Sequence, residues 1–288
     1  MPIDLHTHST ASDGTVAPGT LPELGAAAGL TALALTDHDT VAGLKDFMAR
    51  QKDFPQMELI PGIEFSSYDA ARELHIVGLF IDPENPDLLA MIDSMRRSRQ
   101  ARGELMMQKL SSLGYTVTLD ELVAIGASPD APGRPHFAQV LVNKYNFPDN
   151  KTVFERLLKR GLPGYVQREL PPPQEVIKVI KAAGGLAIWA HPYNTRRSMN
   201  NYIRRTAELL KIAGLDGLEA YYTEYTPSKS ANALRLAADL GLAVSGGSDF
   251  HGSIHPEVKL GKGTGNLNVP DEVMDFLRRA REPKVVFC

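Results

Sequence analysis

Residues 3–9 read IDLHTHS, a short alternating apolar segment that ends in two histidines, His6 and His8. Side chains two positions apart on a strand point to the same face, so both imidazoles can bind one ion at the end of this strand. Neutral imidazole is the commonest protein ligand for metals. The segment therefore predicts a β-strand with a metal site at its carboxyl end.

Histidines and acidic residues also stand at the ends of other strand-like segments. Six of the chain's eight histidines lie at such positions. The candidate metal ligands are His6, His8, Asp13, His38, Glu64, His75, His191, Asp249 and His251. A lone histidine or aspartate at a strand end is more often a cap or a hydrogen-bonded core residue, but nine in matching positions predict a polynuclear metal centre. Glu64 is the candidate bridge between two ions because a carboxylate has two oxygens. We interpret Asp37 and Asp39 as partners that orient imidazoles.

A repeated unit leads into several of these polar clusters. It consists of a helical pattern, a glycine, a short apolar strand and then polar residues, with the glycines at Gly29, Gly184, Gly214 and Gly241. Glycine is expected just past the end of a helix, and strands that alternate with helices predict a parallel sheet. Polar clusters after so many strands favour an α/β barrel whose chemistry lies at the carboxyl ends of the strands.

The repeat stops in the middle of the chain, where successive helical patterns follow one another. Thr118 and Glu121 form a capping-box pattern at the start of one of them. We therefore predict a barrel formed by residues 1–98 and 165–288, with an all-helical insertion at residues 99–164 that completes the substrate site.

The composition limits the range of functions. Basic and acidic residues number 31 and 34, so the chain has no general cationic surface for a long nucleic acid. The single cysteine, Cys288, suits a reducing compartment. Cleavage of a leader of about 20 residues would remove His6 and His8, and no apolar run approaches the roughly 20 residues that span a bilayer. We expect a cytoplasmic protein without a membrane partner.

Several motifs together resemble one family. They are HTHS at 6–9 with Asp13, TDHD at 36–39, GIE at 62–64, His75, AHP at 190–192 and GSDFH at 247–251. This set is similar to the motifs of the PHP (polymerase and histidinol phosphatase) domain family. The resemblance implies a distorted seven-stranded β/α barrel that holds two or three divalent ions and hydrolyses phosphate esters.

The resemblance also implies how the ligands are shared. His6, His8, Glu64 and Asp249 would surround one ion; Glu64, His75 and His191 a second; and Asp13, His38 and His251 a third. Mixed imidazole and carboxylate ligands suit manganese, iron or zinc, and we expect Mn²⁺ first, with Fe²⁺ or Zn²⁺ as alternatives. Four of these ligands, His6, His8, Glu64 and Asp249, are also expected to be catalytic residues. His136 is the fifth expected catalytic residue.

Residues of the insertion are the candidates for substrate binding. Arg134 and His136 flank a proline at a predicted helix start, where free backbone N–H groups and the helix dipole favour a phosphate. A capped surface helix with an incidental arginine explains the pattern equally well. We expect Arg134 and His136 to bind the phosphate that is cleaved, with a further hydrogen bond from Ser9. The candidates for a second phosphate are Arg99, Arg102, Arg196 and Arg197.

Among PHP proteins, members with one compact insertion resemble small-molecule and nucleotide phosphatases. The function that this implies is removal of the 3′-phosphate from nucleoside 3′,5′-bisphosphates. The alternatives are a 5′-to-3′ exonuclease on RNA or short oligonucleotides and a histidinol-phosphate phosphatase. A non-catalytic metal-dependent binding module is the alternative from another class, and it predicts missing ligands.

Overall fold

A computed structural model describes residues 2–69, 72–127, 132–195 and 199–281. The chain forms two compact units, one of Met1–Leu89 with Pro171–Cys288 and the other of Ala90–Leu170. The predicted insertion, residues 99–164, lies within the second unit. The first boundary, between Leu89 and Ala90, falls inside the helix Pro86–Ser112. No change of sequence pattern marks it, because the helical pattern continues across it.

The first unit contains a sheet of seven strands in chain order. The strands are β1 Ile3–Asp4, β2 Ala32–Leu35, β3 Glu58–Tyr68, β4 Glu73–Leu79, β5 Leu186–Trp189, β6 Gly217–Tyr222 and β7 Ala243–Gly247. The sheet closes where Leu5 N donates to Gly246 O (3.1 Å) and Asp249 N donates to His6 O (2.9 Å). A Cβ atom on Gly247 would lie 2.4 Å from the Cβ of His6, so glycine is required for this approach. The predicted seven-stranded α/β barrel is confirmed.

One strand does not follow the expected parallel arrangement. Strand β4 is antiparallel to both β3 and β5, whereas the other neighbouring strands in the sheet pair in parallel. The link between β3 and β4 is too short for the crossover of a dozen or more residues that a parallel pair needs. The reversal corrects the all-parallel prediction. It also explains how His75, near the start of β4, lies at the same end of the barrel as residues that follow the other strands.

Helices cover the barrel between its strands. They are α1 Leu21–Ala27, α2 Leu44–Met48, α7 Pro173–Ala182, α8 Asn200–Ile212, α9 Pro227–Leu240 and α10 Glu272–Arg281. The predicted glycine ends are confirmed, for example at Gly214, whose φ of 104° no other residue adopts readily. The barrel core combines strand residues such as Ile3, Ile60 and Ile188 with Leu277 of α10.

The second unit is helical, as predicted, and has a core of its own. Its described helices are α4 Leu119–Ala124, α5 Arg134–Tyr145 and α6 Asn150–Val153, which continues into the π-helical turn Phe154–Leu158; they are preceded by α3 Pro86–Ser112, which begins in the first unit. The capping box of Thr118 and Glu121 is present. Helix α5 begins at Arg134, so Pro135 is its second residue rather than its first. Within the described residues, no helix combines the length and the apolar character needed to cross a membrane.

Candidate metal centre

Glu64 lies at the centre of the predicted ligand set and is fully buried. Its Oε1 atom faces His75 Nδ1 at 2.9 Å and His191 Nε2 at 3.1 Å. Its Oε2 atom faces three other imidazoles: His6 Nε2 at 3.3 Å, His8 Nε2 at 3.4 Å and His38 Nδ1 at 2.9 Å. Each oxygen thus faces a different group of imidazoles, which is the arrangement expected of a bridging carboxylate.

Asp249 faces the same nitrogen of His8 as Glu64 does, and Asp13 faces the other nitrogen of that ring. His8 Nε2 is 3.1 Å from Asp249 Oδ1, and His251 Nε2 is 3.3 Å from Asp13 Oδ1. His38 Nε2 lies 3.8 Å from Asp13 Oδ2. The barrel therefore brings all nine predicted side chains into one continuous cluster.

The geometry divides the cluster a little differently from the partition that the family resemblance implied. Among the described residues, potential ligand atoms lie within 4.8 Å of one another in three groups: His6, His8 and Glu64; His38, Glu64 and His75; and His8, Asp13, His38 and His251. The first contains three of the four residues implied for the first site and lacks Asp249. In the second group, His38 takes the place implied for His191, and in the third, His8 joins Asp13, His38 and His251.

The cluster fits divalent cations because it contains buried polar atoms that lack hydrogen-bond partners within the described parts of the chain. These atoms are His6 Nε2, His8 Nδ1, His8 Nε2, His38 Nδ1 and Glu64 Oε2. A buried polar atom without a partner costs roughly 1–3 kcal/mol. The four nitrogens all face carboxylate oxygens of the cluster, but three of these contacts have angles too poor for a hydrogen bond and the fourth, from His8 Nδ1 to Asp13, is too long at 3.9 Å. Cations between them would satisfy these lone pairs.

Strand β6 contributes Glu219, which the sequence interpretation missed. Its carboxylate is buried, with Oε1 3.3 Å from His6 Nδ1 and Oε2 accepting a hydrogen bond from His191 N at 2.8 Å. An ionised carboxylate only accepts, so His6 carries its proton on Nδ1 and keeps the Nε2 lone pair for a metal. The signal was present in the sequence as a lone acid within the apolar strand GLEAYY.

Tyr222, at the end of β6, also faces the cluster. Its hydroxyl donates to Asp249 Oδ2 at 2.8 Å, which fixes the orientation of that carboxylate. Residues 219 and 222 would lie on opposite faces of a regular strand. A register shift between Glu219 and Tyr221 breaks this alternation and allows both side chains to point inward.

Two of the proposed ligands have unusual backbone conformations. His191 and Asp249 have φ angles of 32° and 56°, in the left-handed region that non-glycine residues rarely adopt. Such a conformation costs on the order of 1–3 kcal/mol and tends to occur at functional sites. The hydrogen bonds from His191 N to Glu219 and from Asp249 N to His6 O hold these residues in place.

The aspartates on either side of His38 have a different role from the one expected. Asp37 accepts hydrogen bonds from Ser9 N and Ser9 Oγ, both at 2.7 Å, and from Ser12 Oγ at 2.6 Å. It therefore holds the loop that carries Asp13 rather than an imidazole. Asp39 accepts from Ser66 N at 2.8 Å.

The same contacts correct the role predicted for Ser9. The side chain is fully buried, and its hydroxyl donates its single proton to Asp37 while accepting from Ala11 N. No proton is left for a substrate phosphate. Ser9 is part of the support for the loop.

The electrostatics of the cluster balance burial against opposite charges. Burial raises the pKa of Glu64, but His38, His6 and His75 together lower it well below its usual range. Burial lowers the pKa of His75, but Glu64 and then Glu73 raise it to about 10. Burial and the neighbouring His38 lower the pKa of His8 to about 4. Without metal, the cluster thus retains protons on some imidazoles, and cations would replace them.

The predicted substrate residues of the helical unit lie on two of its helices. In the first turn of α5, Gly133 N donates to His136 Nδ1 at 3.1 Å, so His136 carries its ring proton on Nε2. The Arg134 guanidinium lies 5.7 Å from the centre of the Tyr165 ring. On α3, Arg102 Nε donates to Val166 O at 2.9 Å, and Arg99 lies one turn earlier. Two further candidates, Arg196 and Arg197, lie outside the described residues.

Comparison with known proteins identifies the family to which this site belongs. Residues 4–159 match the PHP domain. The chain is a member of the PHP domain family. This PHP protein is 35% identical to a 5′-3′ exoribonuclease of Haemophilus influenzae, over 94% of the chain and 96% of the relative. It is 34% identical to a 3′,5′-nucleoside bisphosphate phosphatase of Chromobacterium violaceum, over 86% and 87%.

A solved structure supports the same assignment for the PHP fold. A proposed metal-dependent phosphoesterase from Bifidobacterium adolescentis superposes with a TM-score of 0.79, at 28% identity and over 99% of both chains. These comparisons confirm the predicted family, the barrel and the prediction of a metal-dependent phosphoesterase.

Proposed function

We propose that this PHP protein removes the 3′-phosphate from nucleoside 3′,5′-bisphosphates, releasing phosphate and a nucleoside 5′-monophosphate. The observation that carries the proposal is the clustering of the nine predicted ligands around Glu64, in a chain that resembles a bisphosphate phosphatase over most of its length. A non-catalytic module would be expected to lack some of these ligands, and each predicted ligand position is occupied in this sequence.

The nine clustered side chains are the proposed ligands of two or three divalent ions, with manganese as the first choice. Divalent ions bound there would supply positive charge beside a phosphoryl oxygen and make a water more acidic. Iron and zinc remain alternatives because the ligand set is free of thiolate. The identity of the metal and the cytoplasmic location stay predictions.

The protein's own residues would orient this chemistry. Glu64 presents its two oxygens to two groups of imidazoles, and Glu219 and Tyr222 hold His6 and Asp249 in their ligating orientations. Arg134 and the Nε2–H of His136 are the proposed donors to the phosphate that is cleaved. Arginine suits this role because its planar guanidinium binds phosphate through two N–H groups.

Phosphate release by the manganese-loaded protein tests the proposal. We expect much faster release from adenosine 3′,5′-bisphosphate than from adenosine 5′-monophosphate, with 5′-monophosphate as the other product. Asp249→Asn should lower the rate by more than about 100-fold, because loss of an outer partner alone costs 10- to 100-fold. The control variant is Asp46→Asn, at an exposed position on α2. Equal release from both substrates, or an active Asp249→Asn variant, would contradict the proposal.

The second candidate function is 5′-3′ exoribonuclease activity, favoured by the similarity to the Haemophilus influenzae enzyme. An exonuclease should produce a ladder of shortened products from an end-labelled oligoribonucleotide, with a rate that falls steeply with salt. Histidinol phosphate, assayed in parallel, tests the remaining phosphatase alternative. The substrate with the highest kcat/KM decides among the three.

A further inference from the structure

A pocket opens beside His75 and His191, on the side of the cluster toward which Glu64 Oε1 points. Its volume is about 220 Å³. The cluster and the pocket thus share two imidazole walls, and a ligand at the cluster can extend into the pocket.

Arg72 lines this pocket and is held in position from two sides. Its guanidinium lies 4.6 Å from the centre of the Tyr202 ring, which also lines the pocket. Asp69 accepts a hydrogen bond from Arg72 N at 3.0 Å and another from the Tyr202 hydroxyl. One carboxylate therefore fixes both the backbone of Arg72 and the ring on which its side chain stacks.

The guanidinium of Arg72 has only a weak hydrogen-bond acceptor among the described residues. Within the described residues, no carboxylate forms an ion pair with the Arg72 guanidinium, and the acceptor for its Nη2 is the thioether sulfur of Met199 at 2.9 Å. Thioether sulfur is a weak acceptor. Asp69, three residues earlier, uses its oxygens for Arg72 N and Tyr202. The guanidinium is thus half-buried and oriented, yet it has no strong acceptor in the part of the chain that the structure describes.

The remaining polar groups of the pocket suit an oxygen-rich ligand. Asn194 and Thr195 lie on its wall. Glu73 also lines the pocket, with its side chain 51% exposed and its Oε1 3.7 Å from His75 Nε2. Glu73 is the one acidic residue among the described residues of the pocket wall, and the His75 imidazole beside it offsets its negative charge.

We propose that this pocket, the Arg72 pocket, binds the phosphate of the substrate that is not cleaved, in place of the arginines that the sequence suggested for it, Arg99, Arg102, Arg196 and Arg197. It is lined by Arg72, His75, His191, Asn194 and Tyr202, among others. The inference rests on the proposed function, since it assigns the second phosphate of a nucleoside 3′,5′-bisphosphate. An oriented arginine without a carboxylate partner is the group best suited to bind a phosphate through paired N–H donors. Arg72 thus becomes the residue that distinguishes bisphosphates from monophosphates.

The test is the ratio of kcat/KM for adenosine 3′,5′-bisphosphate to kcat/KM for adenosine 3′-monophosphate, measured on the manganese-loaded protein. Arg72→Ala should lower this ratio by roughly 10- to 100-fold, the effect expected for loss of hydrogen bonds to a charged group. Arg72→Lys, which keeps the charge but not the paired donors, should give an intermediate ratio. A ratio is used because it is insensitive to a general loss of active protein.

The matched control is Arg281→Ala, because Arg281 also stacks on an aromatic ring, 4.6 Å from the centre of Phe80, but does not line the pocket. It should keep the wild-type ratio. A second variant, Tyr202→Phe, keeps the ring but loses the hydrogen bond to Asp69, and it should lower the ratio by less than Arg72→Ala.

The outcomes separate this inference from the proposed function. If the wild-type protein prefers the bisphosphate and Arg72→Ala keeps that preference, the Arg72 pocket is not the second phosphate site and the proposed function stands. If the wild-type protein releases no 3′-phosphate from either nucleotide, the proposed function itself is wrong.

Discussion

Replacement of Glu219 by glutamine should weaken metal binding although Glu219 is not itself a proposed ligand. Two N–H groups converge on its carboxylate, His6 Nδ1–H and His191 N–H. A carboxylate accepts on both oxygens, whereas the glutamine amide has one oxygen and one NH₂ group. In the Glu219→Gln variant, one of the two buried donors must therefore face another donor, or His6 must move its proton to Nε2 and lose its metal-binding lone pair.

The size of the effect follows from this mismatch. A buried donor without an acceptor costs about 1–3 kcal/mol, and each 1.4 kcal/mol corresponds to a tenfold change in an equilibrium constant. The affinity for Mn²⁺ should therefore fall by roughly 5- to 150-fold. This range agrees with the 10- to 100-fold loss typical of partners that orient metal ligands.

Calorimetric titration of metal-free protein with MnCl₂ measures the change. Glu23→Gln is the control because it makes the same chemical change at an exposed position on α1 of the barrel unit. Urea unfolding of the metal-free variants detects general damage to the fold. Wild-type Mn²⁺ affinity in Glu219→Gln would refute the view that Glu219 sets the tautomer of His6.

Three further outcomes follow from the same structure. Gly247→Ala should lower the free energy of unfolding by about 1–3 kcal/mol, the usual cost of overpacking, because its Cβ would lie 2.4 Å from that of His6. Gly19→Ala, whose Cβ would meet nothing closer than 3.7 Å, should be neutral, and equal urea midpoints for the two variants would contradict the account. Chelation should lower the thermal midpoint of unfolding, and Mn²⁺ at 100 times its Kd should raise the free energy of unfolding by about 2.7 kcal/mol. A midpoint unaffected by Mn²⁺ would argue against a metal bound to the folded state. Mn²⁺ affinity should rise from pH 6 to pH 8. Burial lowers the pKa of His75, but Glu64 raises it to about 10, so His75 is protonated in this range without metal. That proton must leave when the metal binds, and higher pH assists its release. Titrations in buffers of different ionisation enthalpy would detect that proton, and a heat independent of the buffer would contradict its release.

Local patterns were sufficient to predict most of the barrel. Glycine after each helix and polar residues after each strand reflect rules that depend on neighbours in sequence. The direction of β4 depends instead on the length of its link to β3, and the periodic pattern of apolar residues is the same for parallel and antiparallel strands. The close approach of β7 to β1 could not be foreseen either, because Gly247 resembles any other glycine before a turn.

The cluster was predictable because metal ligands are chemically distinctive. Their supporting residues were harder to find, since their role depends on contacts far apart in the chain. Glu219 lies 213 positions from the histidine that it orients. Tyr222 reaches the site through an irregularity of β6 that strict alternation does not predict. Ser9 was assigned to substrate because it is next to a ligand, but its hydroxyl is turned inward to Asp37.

Anomalous diffraction at the manganese edge, from crystals of the manganese-loaded protein, tests the central claim most directly. We expect two or three strong peaks around Glu64, with each carboxylate oxygen of Glu64 within bonding distance of a peak. A map without peaks there, or with ions held only by surface carboxylates, would contradict the view that these side chains converge to form a polynuclear hydrolytic site.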